Sequence, residues 1–463
     1  MTAPSSPATA ARVVLWGWHS EDAVAAVRQV CARGRCVTVA WFGNAADCTH
    51  GLDPFIHQFR LDPLPPRLDA DPGRLAPQEL LTFFDMYSRV PRSRGLPLHE
   101  LEHAAYCYLR FFGALLATGR VTHVFFSSPP HFGPDYVLYL AARRCGVATV
   151  FCYQSLFPGR FFYVRRLEDF GRFDEVPDCP DGAAAAATVR IERRHEKQLF
   201  YMQGLKIRGK PPIASLANDL RRIATGRGRK PMTVAGALQK HQESRQFARG
   251  YERWAVDAPD LSRPYVYFAL QLQPEMTTST LGAGYSDQLT ALERVSAMIP
   301  EDWLVYAKEN PKQTSRQRGE AFFRRLSMIP KLRYVAKTVD TYALLQGCRF
   351  ASTVTGTVGW EAISGGKPVL VFGQPWFAGL PGVVHYRPGV TVDEVAGASI
   401  DHATLERSLA ALLRKSFRGV IDPVYQGIVP GFDASANVER LRDFLERGLD
   451  GRLLVDTPRE PPG

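Results

Sequence analysis

The chain has no apolar run near the roughly 18–20 residues that span a bilayer, so no transmembrane helix is expected. Residues Met1 to Ala11 are rich in Ala, Ser and Pro. They lack a basic stretch followed by an apolar one, so no signal peptide is read there and a cytoplasmic location is expected. There is no C-x-x-C pair and no Cys/His spacing of a zinc site, and no metal is expected. The eight cysteines, at 31, 36, 48, 107, 145, 152, 179 and 348, read as reduced core or loop thiols. No internal repeat of about 20–50 residues is present, which excludes solenoids and propellers. Acidic residues are outnumbered 46 to 57 by Lys and Arg, giving a formal charge of +11. That excess favours an anionic partner. The basic clusters Arg221-Arg222 and Arg227-Gly-Arg-Lys230 come without an aromatic-rich recognition motif, so nucleic acid is not expected. Contact with an anionic membrane surface is the better expectation.

What is present is the patterning of an α/β protein. At 463 residues the chain exceeds one ordinary core. A short strand over 12–16, a helix over 20–33 and a strand over 36–42 open it. Helical periodicity follows over 78–89 and 98–118, then a strand over 122–126, a helix over 136–144 and a strand over 148–153. The Pro-rich stretch 62–77 reads as a loop. Residues 165–260 are basic and largely helical in pattern, with breaks at Pro211-Pro212 and Gly226/Gly228. A second run of alternating strands and helices starts at Tyr265. The spacing predicts two Rossmann-like domains facing a cleft, with a helical insertion and a C-terminal crossover helix. The expected division is a disordered 1–11, a first domain at 12–164, the insertion at 165–260, a second domain at 261–430, a helix at 431–450 and a frayed tail at 451–463.

Ligands of such sheets bind beyond the carboxyl ends of the strands, and the chemistry-bearing loops leave from there. After the strand at 265–270 comes Gln271-Leu-Gln-Pro-Glu275, in which Gln271 and Gln273 alternate and share a face. Glu275 is a candidate base or nucleophile. After the strand at 303–308 comes Lys308-Glu-Asn-Pro-Lys312, offering a cation to a phosphate. The third loop belongs to Thr353-Val-Thr-Gly-Thr-Val-Gly-Trp-Glu361, a strand end, a Gly/Thr turn and a helix start. Thr355 or Thr357 can cap that helix, and Gly356 and Gly359 admit a ligand or a neighbouring strand close to the backbone. A helix N-terminus there suits a phosphate, and Glu361 suits a ribose or sugar hydroxyl. The first half offers Trp18, His19, Glu21 and Asp22 after its first strand, and His131 with Asp135 as an oriented acid/base pair. Gln154 and Arg160 come from a later strand end. Trp376 and Phe377 read equally as an aromatic lid or as packing.

Tyr267-Phe-Ala-Leu-Gln-Leu-Gln-Pro-Glu275, Lys308-Glu-Asn-Pro-Lys312 and Thr355-Gly-Thr-Val-Gly-Trp-Glu-Ala-Ile-Ser-Gly-Gly-Lys-Pro-Val369 occur in that order. Together with Ser127 to Asp135 and Gln154 to Phe162, they resemble the capsule polysaccharide biosynthesis/surface carbohydrate family of bacterial glycosyltransferases. The resemblance covers about residues 120–390. It implies a GT-B fold with the donor nucleotide on the C-terminal domain. That broader family includes retaining β-Kdo transferases that use CMP-Kdo, so it implies a double displacement through a carboxylate. Glu275 is the carboxylate by position; Asp287 and Asp135 are rivals, because the family's nucleophile is commonly an aspartate. Asn310 stands where relatives usually carry His before the Pro. An amide there can hydrogen-bond a phosphate but cannot shuttle a proton.

The resulting expectation is a glycosyltransferase, peripheral on the inner membrane face. It moves a sugar from a nucleotide donor, CMP-linked first and UDP-linked second, to a glycan or glycolipid acceptor, in company with capsule assembly proteins. Gln273, Lys308, Asn310, Thr355, Gly356, Thr357, Gly359 and Glu361 would hold the donor. Glu275, His131, Asp135 and His19 would serve the chemistry. No cofactor beyond the donor is expected. Two alternatives stay open: a GT-B-fold sugar-nucleotide epimerase or hydrolase, and a non-catalytic component of a capsule assembly complex.

Overall fold

The structure, a computed structural model, describes residues 10–61, 73–171, 173, 176–179, 212–225, 233–398 and 400–453. Most of the Pro-rich stretch, the basic runs 190–197 and 227–230, and the segments 1–9 and 454–463 lie outside the described residues. The first sheet is built from β1 (Ala11–Trp16), β2 (Cys36–Gly43), β3 (His50–Gly51), β4 (His123–Phe126), β5 (Ala148–Gln154) and β6 (Arg160–Val164). The second comprises β7 (Tyr265–Ala269), β8 (Leu304–Lys308), β9 (Leu332–Val335), β10 (Phe350–Thr353), β11 (Val369–Val371) and β12 (Val383–His385). A last strand, β13 (Phe417–Arg418), returns to the first sheet. The strand orders are β13-β6-β5-β4-β1-β2-β3 and β12-β11-β10-β7-β8-β9. The second sheet is parallel throughout; in the first, β6 runs antiparallel to β5 and β13 antiparallel to β6.

Both sheets are covered on both faces, so their central strands are apolar without alternation. The period of two still sorts the side chains. Val14 and Trp16 of β1 enter one core, while Val13 and Leu15 enter another. In β7, Val266 and Phe268 turn to one side and Tyr265 and Tyr267 to the other. The architecture is GT-B-like: two Rossmann-like domains with a cleft between the carboxyl ends of their strands. Of the 165–260 segment, the described parts include the helices Pro212–Ala224 and Val234–Trp254. Among the described residues no helix is long and apolar enough to cross a membrane, and none of the eight cysteines is in a disulfide.

The chain crosses back to the first domain earlier than the expected boundary at 430. After the helix His402–Arg414, Phe417 already pairs with Phe161 of β6. The final helix, Ala434–Leu449, then packs along the helix Glu21–Ala32 of the first domain. Phe444 is fully buried, with ring centroids 4.9 Å from Phe161, 5.1 Å from Phe417 and 6.1 Å from Trp18. Asn437 spends its amide there too, donating to Asp22 at 2.8 Å and to the Val420 carbonyl at 2.9 Å. Trp18 and Asp22, two of the strand-end candidates, are therefore part of this joint.

The two domains also touch directly. Trp376 is 5.6 Å from Phe157 and 5.3 Å from Trp360, and both Trp376 and Phe377 are buried. They pack the domain interface and form no lid. Gly171 (φ +80°) abuts the same stretch: a Cβ there would lie 2.6 Å from the Pro375 carbonyl oxygen, so only glycine fits. Across the joint Thr280 donates to the Pro130 carbonyl at 3.1 Å. Phe444→Ala empties a site shared by both ends of the chain. It should cost about 3–5 kcal/mol in urea-induced unfolding.

Candidate functional site

A cleft of about 690 Å³ opens between the two domains. Its floor is made by the three loops after β7, β8 and β10, and its opposite wall by the loop Ser127–His131 after β4 and by Tyr153, Gln154 and Leu156. Of the expected residues, Glu275, His131, Lys308, Asn310, Thr355, Gly356, Thr357 and Glu361 line it. His19, Asp135, Gln273 and Gly359 do not.

Glu275 and His131 come from different domains and meet, with His131 Nε2 3.9 Å from Glu275 Oε1. Neither ring nor carboxylate is loosely held. The second oxygen of Glu275 caps the short helix Met276–Ser279, accepting from the Thr277 amide at 2.8 Å and from its hydroxyl. His131 Nδ1 lies 2.8 Å from the Pro129 carbonyl oxygen. A carbonyl can only accept, so this contact puts the proton on Nδ1 and leaves the lone pair of a neutral ring on Nε2. In a neutral ring Nε2 is then an acceptor beside Glu275 Oε1, and a hydroxyl lying between them can donate its single proton to one of the two.

Asp135 supports this arrangement from behind. It is buried, and its carboxylate accepts from the backbone amides of His131, of Phe132 at 3.1 Å and of Tyr136 at 3.0 Å. Burial pushes its pKa up, opposed by the His131 amide, by the charge of the nearby His131 ring and by the other two amides. It positions the His131 loop through the backbone and makes no hydrogen bond to the imidazole. Asp287, the other rival, caps the helix Gln288–Met298 on the surface and pairs with Arg325. Of the three carboxylates, Glu275 alone faces the cleft. His19 is exposed and outside the lining; partial desolvation lowers its pKa, opposed by the nearby Asp422.

The floor is held by two hydrogen-bonded hubs. Gln271 is the first. Its side-chain Oε1 accepts from the Thr355 amide at 2.7 Å, and its Nε2 donates to the hydroxyls of Thr355 at 3.1 Å and Thr277 at 3.3 Å. The Glu275 loop and the Gly-rich turn are thereby one unit. The second hub is the ion pair of Glu309 and Arg318, both fully buried, with Arg318 Nε donating to Glu309 Oε2 at 2.7 Å. Tyr334 donates to the same oxygen at 2.9 Å and the Asn310 amide to the other at 2.8 Å. Arg318 also donates to Gln273 Oε1 at 2.8 Å. Gln271 and Gln273 were expected on one face. The strand ends at Ala269, so alternation lapses, and Gln273 turns to Arg318 instead of the cleft.

Lys308 Nζ donates to Thr341 at 2.6 Å, with Asp340 and Glu361 close enough to act on its charge. Burial lowers its pKa to about 8, which those two carboxyls partly oppose. Burial raises Glu361 to about 7, against a hydrogen bond from Tyr342 and the attraction of Lys308. Gly356 leaves room where a Cβ would lie 2.7 Å from Thr353 Oγ1 and 3.2 Å from Gln271. Gly359 has another purpose: a Cβ there would strike the Phe377 ring at 2.6 Å, so it is a packing glycine.

Lining residues that the motifs did not reveal include Lys337, Thr341, Tyr342, Asp422 and Tyr425. Asp340 signals a helix cap before Thr341 and Tyr342, which places them at a strand end. Asp422-Pro423 signals only a turn, and nothing in the sequence ties that turn to the cleft.

Residues 226–413 match the family described as "Capsule polysaccharide biosynthesis protein". No curated relative matches the chain. Solved structures similar to it include the β-Kdo 2,7 transferase of Thermosulfurimonas dismutans KpsC. That likeness is at 11% identity and TM-score 0.32 and covers 72% of this chain and 89% of that one. The β-Kdo 2,4 transferase of the same protein is similar at 13% identity and TM-score 0.30, covering 70% and 87%. The UDP-GlcNAc 2-epimerase of Methanocaldococcus jannaschii is similar at 10% identity and TM-score 0.23, covering 87% and 92%.

The buried ion pair gives a direct check on how the floor is held. Arg318→Met strands the Glu309 carboxylate and should destabilise the protein by about 3–5 kcal/mol in urea unfolding. Glu309→Gln with Arg318→Met together should recover part of that loss.

Proposed function

We propose that this chain, which carries a capsule polysaccharide biosynthesis family segment at residues 226–413, transfers a glycosyl group from a nucleotide-sugar to a glycan or glycolipid acceptor in the cleft between its domains. The observation that carries this reading is the meeting of Glu275 and His131 across the cleft, 3.9 Å apart, above the loops of Lys308 and Gly356. Kdo from CMP-Kdo is the first donor to test, on the resemblance of the three strand-end motifs; a UDP-linked sugar is the second. The net charge of +11 supports peripheral contact with an anionic membrane surface, where a lipid-linked acceptor would be met.

The donor half of the site is the second domain. Gly356 and Thr357 offer backbone and hydroxyl to the phosphate, and Glu361 with Tyr342 offers hydrogen-bonding partners to the ribose. Lys308 supplies positive charge where the bond between the anomeric carbon and phosphate oxygen breaks. Its ammonium is prearranged by Thr341 and needs no large reorientation. Asn310 is held by Glu309 and can donate to the same phosphate, with no proton to exchange.

In this mechanism Glu275 Oε1 bonds to the anomeric carbon, since Oε2 is engaged by Thr277, as the bond to the phosphate oxygen breaks and the nucleotide leaves with its electron pair. The acceptor oxygen then bonds to the anomeric carbon while its proton passes to His131 Nε2, and the bond to Glu275 breaks, returning the carboxylate.

Glu275→Gln should lower transfer by about 10²–10⁴-fold while leaving nucleotide affinity unchanged in calorimetry. Unaltered turnover would remove Glu275 from its role. Lys308 is charged below its pKa of about 8 and neutral above it. Nucleotide affinity should therefore hold below about pH 8 and decline above it, with proton uptake on binding at the higher pH. Lys308→Met should weaken binding and flatten that profile.

A further inference from the structure

The two walls of the cleft differ in charge. The second domain brings Lys308, Lys312 and Lys337 to it. The opposite wall brings no Lys or Arg among the described lining residues, and it brings the carboxylate of Asp422. Arg160, the basic residue that the loop after β5 offers to this wall, starts β6 and is buried and turned away. It donates to Ser416 Oγ at 3.0 Å and to the Ser416 carbonyl at 3.2 Å.

Asp422 and Tyr425 belong to the chain's return from the second domain, yet the first domain fixes their place. Gln154 Oε1 accepts from the Ile421 amide at 2.8 Å, while its Nε2 donates to the Arg160 carbonyl at 2.9 Å. Gln154 thus clamps the returning segment to the end of β5. Asp422 itself starts the turn Pro423–Ile428, with Oδ1 accepting from the Val424 amide at 3.0 Å. That turn has no buried residue. Asp422 stays exposed and Tyr425 half-buried, both at the cleft.

From this we infer that Asp422 and Tyr425 form an acceptor subsite that selects an uncharged saccharide. It rests on the transferase reading of the cleft. Sugar hydroxyls donate to the Asp422 carboxylate, and the apolar face of a pyranose lies against the Tyr425 ring. A saccharide ending in a carboxylate is disfavoured there, because like charges meet with no Lys or Arg among the described lining residues of that wall to offset them. The anionic partner sits across the cleft, against the lysines.

The test is binding of neutral methyl hexosides and of their matching methyl uronides to the full chain by saturation-transfer NMR, with CMP and UDP affinities measured in parallel. The expected result is that at least one neutral glycoside binds, and binds better than its uronide. Asp422→Asn keeps the turn's cap and should weaken that glycoside about tenfold with nucleotide affinity unchanged. Asp422→Lys should bring the uronide up to or above the neutral partner. Equal or tighter uronide binding by the unaltered chain, no binding by any neutral glycoside, or no effect of Asp422→Asn would overturn the inference. Glycoside selectivity of this kind without nucleotide binding would instead remove the transferase reading and leave the saccharide subsite standing.

Discussion

The buried pair of Glu309 and Arg318 is the constraint on which the floor of the cleft depends. Two opposite charges without water are tolerable only when every remaining lone pair and proton is used. Here Tyr334 and the Asn310 amide donate to the carboxylate, and Gln273 and the Gln317 carbonyl accept from the guanidinium. The consequence is geometric. The loop carrying Lys308 and Asn310 and the loop carrying Glu275 are fixed to one guanidinium, and Gln271 then ties the second loop to the Gly-rich turn. Three loops from three strands behave as one surface.

The facing wall is held by different means. Asp135 gathers three backbone amides and so sets the His131 loop, while the Pro129 carbonyl sets the imidazole's tautomer. The two walls are brought together by aromatic packing at Trp376, Phe157 and Trp360, and by the return of the chain through β13 and the final helix. That return lets the C-terminal part of the chain contribute Asp422 and Tyr425 to the first domain's side of the cleft. The contact between Glu275 and His131, at 3.9 Å, is longer than a hydrogen bond, so neither group donates to the other.

Several site residues were legible because their chemistry sits in local patterns. A loop beginning at the carboxyl end of a parallel strand faces the ligand side whatever else the chain does, so Glu275, Lys308, Asn310, Thr355 to Thr357 and His131 could be placed on the cleft. The same rule failed at Gln273, where the strand had already ended, and at Gly359, where a glycine is needed by the Phe377 ring and not by a ligand. It also failed at Asp135. Its spacing from His131 suggested a hydrogen-bonded pair of side chains, but its carboxylate accepts from three backbone amides instead.

By itself the sequence determined the alternation of strands and helices, the doubling into two α/β units and the loops that carry chemistry. Each of these follows from hydrophobic period and turn residues within a few positions. Tertiary structure alone decided which carboxylate faces the cleft, that Glu275 meets a histidine from the other domain, and that residues after 416 return to the first domain. Those are contacts between groups far apart in the chain, such as Glu275 with His131 and Gln154 with Ile421. No local periodicity encodes them, because they exist only once both domains have closed around one cleft.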